Sequence, residues 1–188
     1  MFKREKELDM EPIIIDRKYN CMEQHGEPNC SAYMAAHLLQ HYGIIKDPDD
    51  IYLRMGRYMD SEAVAPWQIA TYLNKTFQEN SIPIKYGFKK AAVLHDIHAE
   101  LERGVPVPVL ILYDTHSSSF DDLHYVLVTG IDDKNVYLID SLSCGGTCTY
   151  NRTVQIKDFM KMWSLEKFFA PYKWVSVRNF MLACHDII

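Results

Sequence analysis

The clearest fold signal in this chain lies in residues 124–140, which read HYVLVTGIDDKNVYLID. The two apolar runs, 124–131 and 136–140, are rich in valine, leucine, isoleucine and tyrosine, and such residues fit a pleated, half-buried surface. Between the runs stand the polar residues DDKN at 132–135, which are typical of a hairpin turn. We therefore predict two antiparallel strands joined by a short connection.

The hairpin also brings together two polar residues at its open end. If the turn centres on Asp133, Asp140 lies opposite Val126, and His124 is two positions further along the same face. A shift of one residue in register would put His124 and Asp140 on opposite faces. In strands this apolar, both side chains need a hydrogen-bond partner. The sequence alone leaves open whether they form a mutually satisfied structural pair or a catalytic one.

The rest of the chain divides into a helical first part and a strand-rich second part. The patterns predict helices over 31–39, after 47–48, over 66–77 and over 91–103, then a strand at 107–113, a short helix near 157–163 and a last strand near 174–180. This order predicts an α+β fold with an N-terminal helical lobe and a C-terminal antiparallel β-sheet lobe. We expect residues 1–188 to form a single domain in which 1–19 are an N-terminal extension.

Composition narrows the class of protein. The chain has 188 residues, of which 48% are hydrophobic, and a net charge of −5 with scattered basic residues. Nucleic-acid binders usually gather Lys and Arg on one face, so we expect no nucleic-acid partner. The start of the chain is charged where a signal peptide is apolar, and the longest apolar run is too short to span a bilayer. We expect a cytoplasmic protein whose five cysteines are free thiols.

Cys30 is the cysteine whose position favours reactivity. It directly precedes a strong helix pattern, and Asn29 is a candidate N-cap. The positive end of a helix dipole favours a thiolate, the form in which cysteine acts as a nucleophile. Gln24 lies six residues earlier, where its amide could donate to an oxyanion beside the sulfur. Taken singly, Cys30 also fits a buried small hydrophobe, and Gln24 fits a solvated loop residue.

Together these residues resemble a known family, the papain-like double-glycine (bacteriocin-processing) peptidases. The stretches that carry the resemblance are QHGEPNCSA at 24–32 with the helix end YG at 42–43, GVPV at 104–107, HYVLVTGID at 124–132 and YLIDS at 137–141. The resemblance covers roughly residues 20–142. It implies a papain-like fold, with Cys30 as nucleophile, His124 as base, Asp140 as the carboxylate that orients the imidazole and Gln24 in the oxyanion hole. The family usually has Asp-Cys-Gly at the nucleophile, where this chain has Asn29-Cys30-Ser31.

The function that the resemblance implies is a cysteine hydrolase acting on a peptide or protein substrate through a thioester. The same four residues would also serve an acyltransferase, and a catalytically inactive papain-like domain that binds a peptide is the third alternative. We expect no cofactor and no metal. The oligomeric state is left open by the sequence.

Two other groups of residues are candidate metal sites. Cys144 and Cys148 flank a glycine-rich loop and could bind zinc with Cys184 and His185, but their spacing favours an oxidisable loop instead. His95 and His98 lie three residues apart on a predicted helix. We expect these two histidines to be surface residues.

Overall fold

The computed structural model describes residues 11–25, 29–56, 64–114, 122–165 and 179–186. In chain order the elements are β1 (Ile13–Ile14), β2 (Tyr19–Asn20), α1 (Cys30–His41), α2 (Pro48–Met55), α3 (Pro66–Glu79), β3 (Ile84–Lys89), α4 (Leu94–Glu102), β4 (Val107–Leu112), β5 (Leu123–Ile131), β6 (Asn135–Ile139), β7 (Thr147–Cys148), β8 (Arg152–Gln155), α5 (Ile156–Ser164) and β9 (Met181–Asp186). A short 3₁₀ turn, Ser141–Ser143, follows β6. The predicted α+β fold is confirmed.

The main sheet is antiparallel, with strand order β3-β9-β4-β5-β6-β8 and β1 added beside β5. One layer of core residues lies between this sheet and helices α1 to α3, and it includes Leu39, Leu73 and Leu127. The other face of the sheet packs against α4 and α5 through a second layer that includes Ile97, Val126 and Trp163. Strands β4 and β5 are buried along nearly their whole length because both faces are covered.

Three helices agree closely with prediction, and the differences elsewhere have local causes. α3 starts at Pro66 and α5 spans the predicted 157–163, while Asp47 caps α2 by accepting a hydrogen bond from the Asp49 N–H. The predicted helix over 91–103 begins only at Leu94, since Ala91 has a φ of +53°. Strand β3 stands just before it, in a part of the chain that we expected to be helical.

The ends of the chain also differ from expectation. Ile13 and Ile14 pair with Ile131 and Gly130, and Tyr19 is fully buried, so the last residues of the predicted N-terminal extension take part in the fold. Most of the predicted last strand, 174–178, lies outside the described residues. A strand is found directly after it, where β9 pairs with β3 and β4. Within the described ranges, the helices are all too short or too polar to cross a bilayer.

The two helical histidines have different surroundings, and the surface expectation is wrong for His98. Its ring is 6% exposed, and Nε2 donates to the Glu11 carbonyl oxygen at 3.0 Å. Its Nδ1 lies 3.6 Å from Glu102, and its ring stacks on His95. Only His95 is exposed. Burial of His98 therefore follows from the contact of α4 with the N-terminal segment, which the helical pattern alone does not reveal.

Candidate active site

A β-bulge sets the register of the hairpin that carries His124 and Asp140. Near the turn, Ile131 pairs with Val136 and Gly130 with Tyr137, but beyond Thr129 the pairing moves by one residue, to Val128 with Leu138. Without this extra residue, the turn register would carry Asp140 opposite Leu127, and His124 would face the other way. With the bulge, the pairing of Leu127 with Ile139 leads on to Asp140 opposite Val126. This is the predicted register, although it arises from the bulge and not from a turn centred on Asp133.

Thr129 is held in the bulge by contacts on both sides of the sheet. Its hydroxyl donates to the Thr149 carbonyl oxygen at 3.0 Å, and its own carbonyl accepts from the Ile15 N–H at 2.8 Å. Gly130 follows, and β1 passes so close that an added Cβ would lie 2.8 Å from the Ile13 carbonyl oxygen. A strand that would be regular from its sequence is thus made irregular by its neighbours.

His124 and Asp140 meet in a buried ion pair. The imidazole Nε2 donates to Asp140 Oδ1 at 2.8 Å, and the two residues are 4% and 0% exposed. Burial lowers the pKa of His124, but the hydrogen bonds and charges of Asp140 and Cys30 outweigh it and raise this pKa to about 9. Burial acts to raise the pKa of Asp140, yet the hydrogen bonds from His124 and Arg152 lower it to about 2. The two opposite shifts favour the imidazolium–carboxylate form of the pair.

Cys30 reaches this pair from the other lobe. It is the first residue of α1, where the backbone N–H groups have no partners within the helix. The Cys30 sulfur is close enough to His124 to raise the pKa of the imidazole by hydrogen bonding and by charge. Because Nε2 of His124 is bonded to Asp140, Nδ1 is the ring nitrogen left to interact with Cys30. The structure thus brings three of the four predicted site residues together.

Gln24 lies on a loop that is tied to the turn after Asp140. Its backbone N–H donates to the Ser141 carbonyl oxygen at 2.9 Å, and its side-chain Oε1 accepts from the Ser141 hydroxyl at 3.1 Å. Two residues before Gln24, the Met22 N–H donates to Nε2 of His37 on α1 at 3.0 Å. His37 is fully enclosed, and burial lowers its pKa to about 4 although Asp140 acts to raise it. A neutral His37 thus accepts the hydrogen bond that anchors the loop.

The two residues that flank Cys30 are buried and polar. Asn29 occupies the N-cap position of α1 as expected, but its side chain makes no capping hydrogen bond. Among the residues that the structure describes, Asn29 Oδ1 and Ser31 Oγ are buried atoms without a hydrogen-bond partner. Residues 26–28 of the motif lie outside the described residues.

Cys21 and Cys144 form a disulfide, so the expectation of free thiols is wrong for these two. Cys30, Cys148 and Cys184 are free. In the described ranges, the one group of three residues close enough to hold a metal ion is Cys21, His37 and Cys144. As a disulfide, the two sulfurs offer no thiolate ligands. Cys144 therefore pairs with the Gln24 loop instead of joining Cys148, Cys184 and His185.

Sequence reasoning missed the residues that hold Asp140 from behind. Arg152 Nη1 donates to Asp140 Oδ2 at 2.7 Å. The neighbouring Asn151 accepts from the Asp140 N–H at 2.8 Å and donates to its carbonyl oxygen at 2.7 Å. Arg152 is the one arginine between residues 104 and 177, but nothing in that spacing says which carboxylate it meets. Pairing of β6 with β8, which sets Leu138 opposite Arg152, brings them together.

A family model described as "Peptidase_C39 like family" matches residues 17–170. The chain belongs to the C39-like peptidase family. No curated protein matches it.

Solved structures share the C39-like fold at low identity. A Bacillus anthracis protein named as a C39-like peptidase is 15% identical with a TM-score of 0.66, and the match covers 94% of this chain and 99% of that one. The peptidase domain of Streptococcus ComA, a bifunctional ABC transporter in a quorum-sensing pathway, is 12% identical with a TM-score of 0.60, covering 89% and 98%. A double-glycine motif protease from an AMS/PCAT transporter, solved with a leader peptide, is 10% identical with a TM-score of 0.55, covering 94% and 99%.

Proposed function

We propose that this C39-like chain is a cysteine peptidase that cleaves a peptide through a thioester on Cys30. The observation that carries the proposal is the buried His124–Asp140 pair at 2.8 Å, with the Cys30 thiol close enough to act on the same imidazole. Acyl transfer requires a nucleophile next to a base, and a third residue that orients the base by a hydrogen bond.

In the attacking state the Cys30 proton is on Nδ1 of His124, and the thiolate attacks the carbonyl carbon of the scissile peptide bond. The resulting oxyanion is held by the Cys30 backbone N–H and the Gln24 side-chain amide. Ser141 supports this role of Gln24, since its hydroxyl binds Oε1 and so turns the amide nitrogen to the other side of the group. His124 then protonates the leaving amine as the C–N bond breaks, which leaves a thioester.

Water completes the reaction in the peptidase. Neutral His124 takes a proton from water as the water oxygen attacks the thioester carbonyl carbon. The C–S bond then breaks, the acid product leaves, and the Cys30 thiolate and protonated His124 are restored. Asp140 stays a carboxylate throughout and holds the imidazole by Nε2. An amine in place of water would give an acyltransferase with the same residues. A peptide substrate is supported by the leader peptide bound to the double-glycine protease of similar fold.

Mass spectrometry with a broad electrophilic cysteine-hydrolase probe tests the proposal. We expect one adduct, on Cys30, that is lost in Cys30→Ala and strongly reduced in His124→Ala, while Cys148→Ala labels like the native protein. Incubation with a peptide library should then yield new N-termini and free carboxylates. Equal labelling of native protein and Cys30→Ala would contradict a peptidase and favour a peptide-binding domain. Amide products without free acid would favour acyl transfer.

A further inference from the structure

From the contacts behind Asp140 we infer that Arg152 is a positioning residue, which keeps the Asp140 carboxylate charged and aligned while the proton on His124 comes and goes. This inference rests on the proposed function. It adds to the Cys-His-Asp set a residue whose contacts are with Asp140 and Tyr113 and not with the imidazole.

The two oxygens of Asp140 have separate partners. Oδ1 accepts from His124 Nε2 at 2.8 Å and from the Leu142 N–H at 3.0 Å, whereas Oδ2 accepts from Arg152 Nη1 at 2.7 Å. The carboxylate is thus fixed in its plane by donors on both oxygens. Rotation that would weaken the hydrogen bond to His124 would also break the one to Arg152.

Charge gives Arg152 a second role. Asp140 is 0% exposed, and a buried carboxylate needs a charged partner. His124 is such a partner only while it is protonated, and in the proposed cycle it becomes neutral when the leaving amine takes its proton. Arg152 remains charged at that moment, because a guanidinium does not lose its proton in proteins. Asp140 therefore stays ionised when the imidazole is neutral.

The positive charge of Arg152 also limits how strongly Asp140 stabilises protonated His124. A positive charge on the far oxygen of Asp140 withdraws part of the attraction that the carboxylate exerts on protonated His124. Without it, we expect His124 to hold its proton more tightly and to release it more slowly to the leaving amine. Arg152 thus adjusts how readily His124 acts as an acid.

Arg152 is itself held in place by the site. Its guanidinium lies 4.7 Å from the ring centroid of Tyr113, a cation–π contact, and Tyr113 meets His124 edge to face at 5.6 Å. The four residues Asp140, His124, Tyr113 and Arg152 therefore contact one another in a closed ring. Asn151, directly before β8, hydrogen-bonds to the Asp140 backbone at both its N–H and its carbonyl oxygen.

Several elements contribute titratable or charged groups that act on His124, Asp140 or Cys30. These are Cys30 and His37 from α1, Tyr113 after β4, Tyr125 within β5, Asp140 after β6 and Arg152 in β8. Cys30 and Asp140 favour the imidazolium directly. His37 interacts with Asp140 while remaining neutral. Arg152 is the permanent positive charge in this set.

The test is a titration of His124 by ¹⁵N NMR of its imidazole in intact, unreduced protein. Arg152→Met should raise the pKa of His124 by about one unit, and Arg152→Lys, which keeps the charge, should stay near native. Turnover of a peptide substrate should fall about 10- to 100-fold in Arg152→Met, with partial recovery in Arg152→Lys. Lys157→Gln removes an exposed positive charge from α5 and should change neither quantity.

An unchanged His124 titration in Arg152→Met would overturn the inference. If Arg152→Met does not fold, Arg152→Gln replaces it in the titration of His124. Its amide can still donate to Asp140, but it has no charge. The Cys30→Ala variant tests the proposed function separately from the role of Arg152. Because Cys30 raises the pKa of His124, its removal should lower that pKa. A Cys30→Ala titration identical to native would count against the peptidase proposal itself, whatever the Arg152 variants show.

Discussion

Cys21 and Cys144 are joined by a disulfide that ties the loop of Gln24 to the loop after Asp140. The Cα atoms are 5.3 Å apart although 123 residues separate them in sequence. The Cys21 N–H also donates to the Gly146 carbonyl oxygen, and Asn151 Nδ2 donates to both sulfurs at 3.3 Å. Asn151 thereby connects the disulfide to the Asp140 backbone. The disulfide therefore links covalently the segments that carry Gln24 and Asp140.

Loss of this disulfide should destabilise the whole domain. Because it closes a loop of more than 100 residues, Cys144→Ser should lower the free energy of unfolding by about 3–5 kcal/mol. Urea unfolding without reductant measures this loss. Cys148→Ser is the matched control, since Cys148 is free and lies on the same loop. Equal midpoints for native protein and Cys144→Ser would show that the thiols are not paired in solution.

The pKa of His124 predicts an upper pH limit for activity. Since this pKa is about 9 in the folded protein, the imidazolium that protonates the leaving amine is lost as pH rises through 9, and kcat/KM should fall there. The same shift contributes stability that is complete below pH 6.5, the ordinary value, and disappears as pH rises through 9. Peptide cleavage between pH 6 and 10.5 checks the fall in kcat/KM, and urea unfolding over the same range checks the loss of stability.

Asp140→Asn is the control for that pH limit. It removes the charge that favours the imidazolium, so the upper limb should move to lower pH and turnover should fall steeply. A limb that stays at pH 9 in Asp140→Asn would show that another group sets the limit.

Two buried serines should respond oppositely to replacement by alanine. Ser31 is 2% exposed and its hydroxyl has no partner among the described residues, so Ser31→Ala should stabilise the protein by about 1 kcal/mol. Ser141 is 3% exposed and its hydroxyl binds Gln24 Oε1. Ser141→Ala should cost about 1 kcal/mol and reduce peptide cleavage. Thermal unfolding compares them, and destabilisation by Ser31→Ala would indicate that its hydroxyl is bonded in solution.

Gly130→Ala should disturb the bulge that aligns the hairpin. The new methyl group would lie 2.8 Å from the Ile13 carbonyl oxygen and 3.1 Å from the Ile14 Cα, and both are backbone atoms. We expect a loss of about 1–3 kcal/mol and reduced labelling of Cys30 by the probe. Gly145→Ala is the control, because a Cβ there meets nothing within 4 Å. Similar stability of both variants would mean that β1 does not pack on Gly130 in solution.

The elements of this fold could be predicted where the local pattern is strong. Helix α3 begins at Pro66, where proline suits a first turn, and the hairpin follows from two apolar runs around DDKN. Strand β3 was missed because its paired strand, β9, lies about 100 residues later. The Asn29 side chain does not cap α1 although its residue type favours doing so.

The sequence by itself determined which residues have the chemistry: a cysteine at a helix start, and a histidine and an aspartate on neighbouring strands. These features depend on short-range propensity and on the alternation of side chains along a strand. Tertiary structure decided the geometry. The bulge at Thr129, the Cys21–Cys144 pairing and the hydrogen bond of Arg152 to Asp140 all depend on contacts between segments distant in the chain. Such contacts are selected by packing of the whole domain, so no local stretch of sequence specifies them.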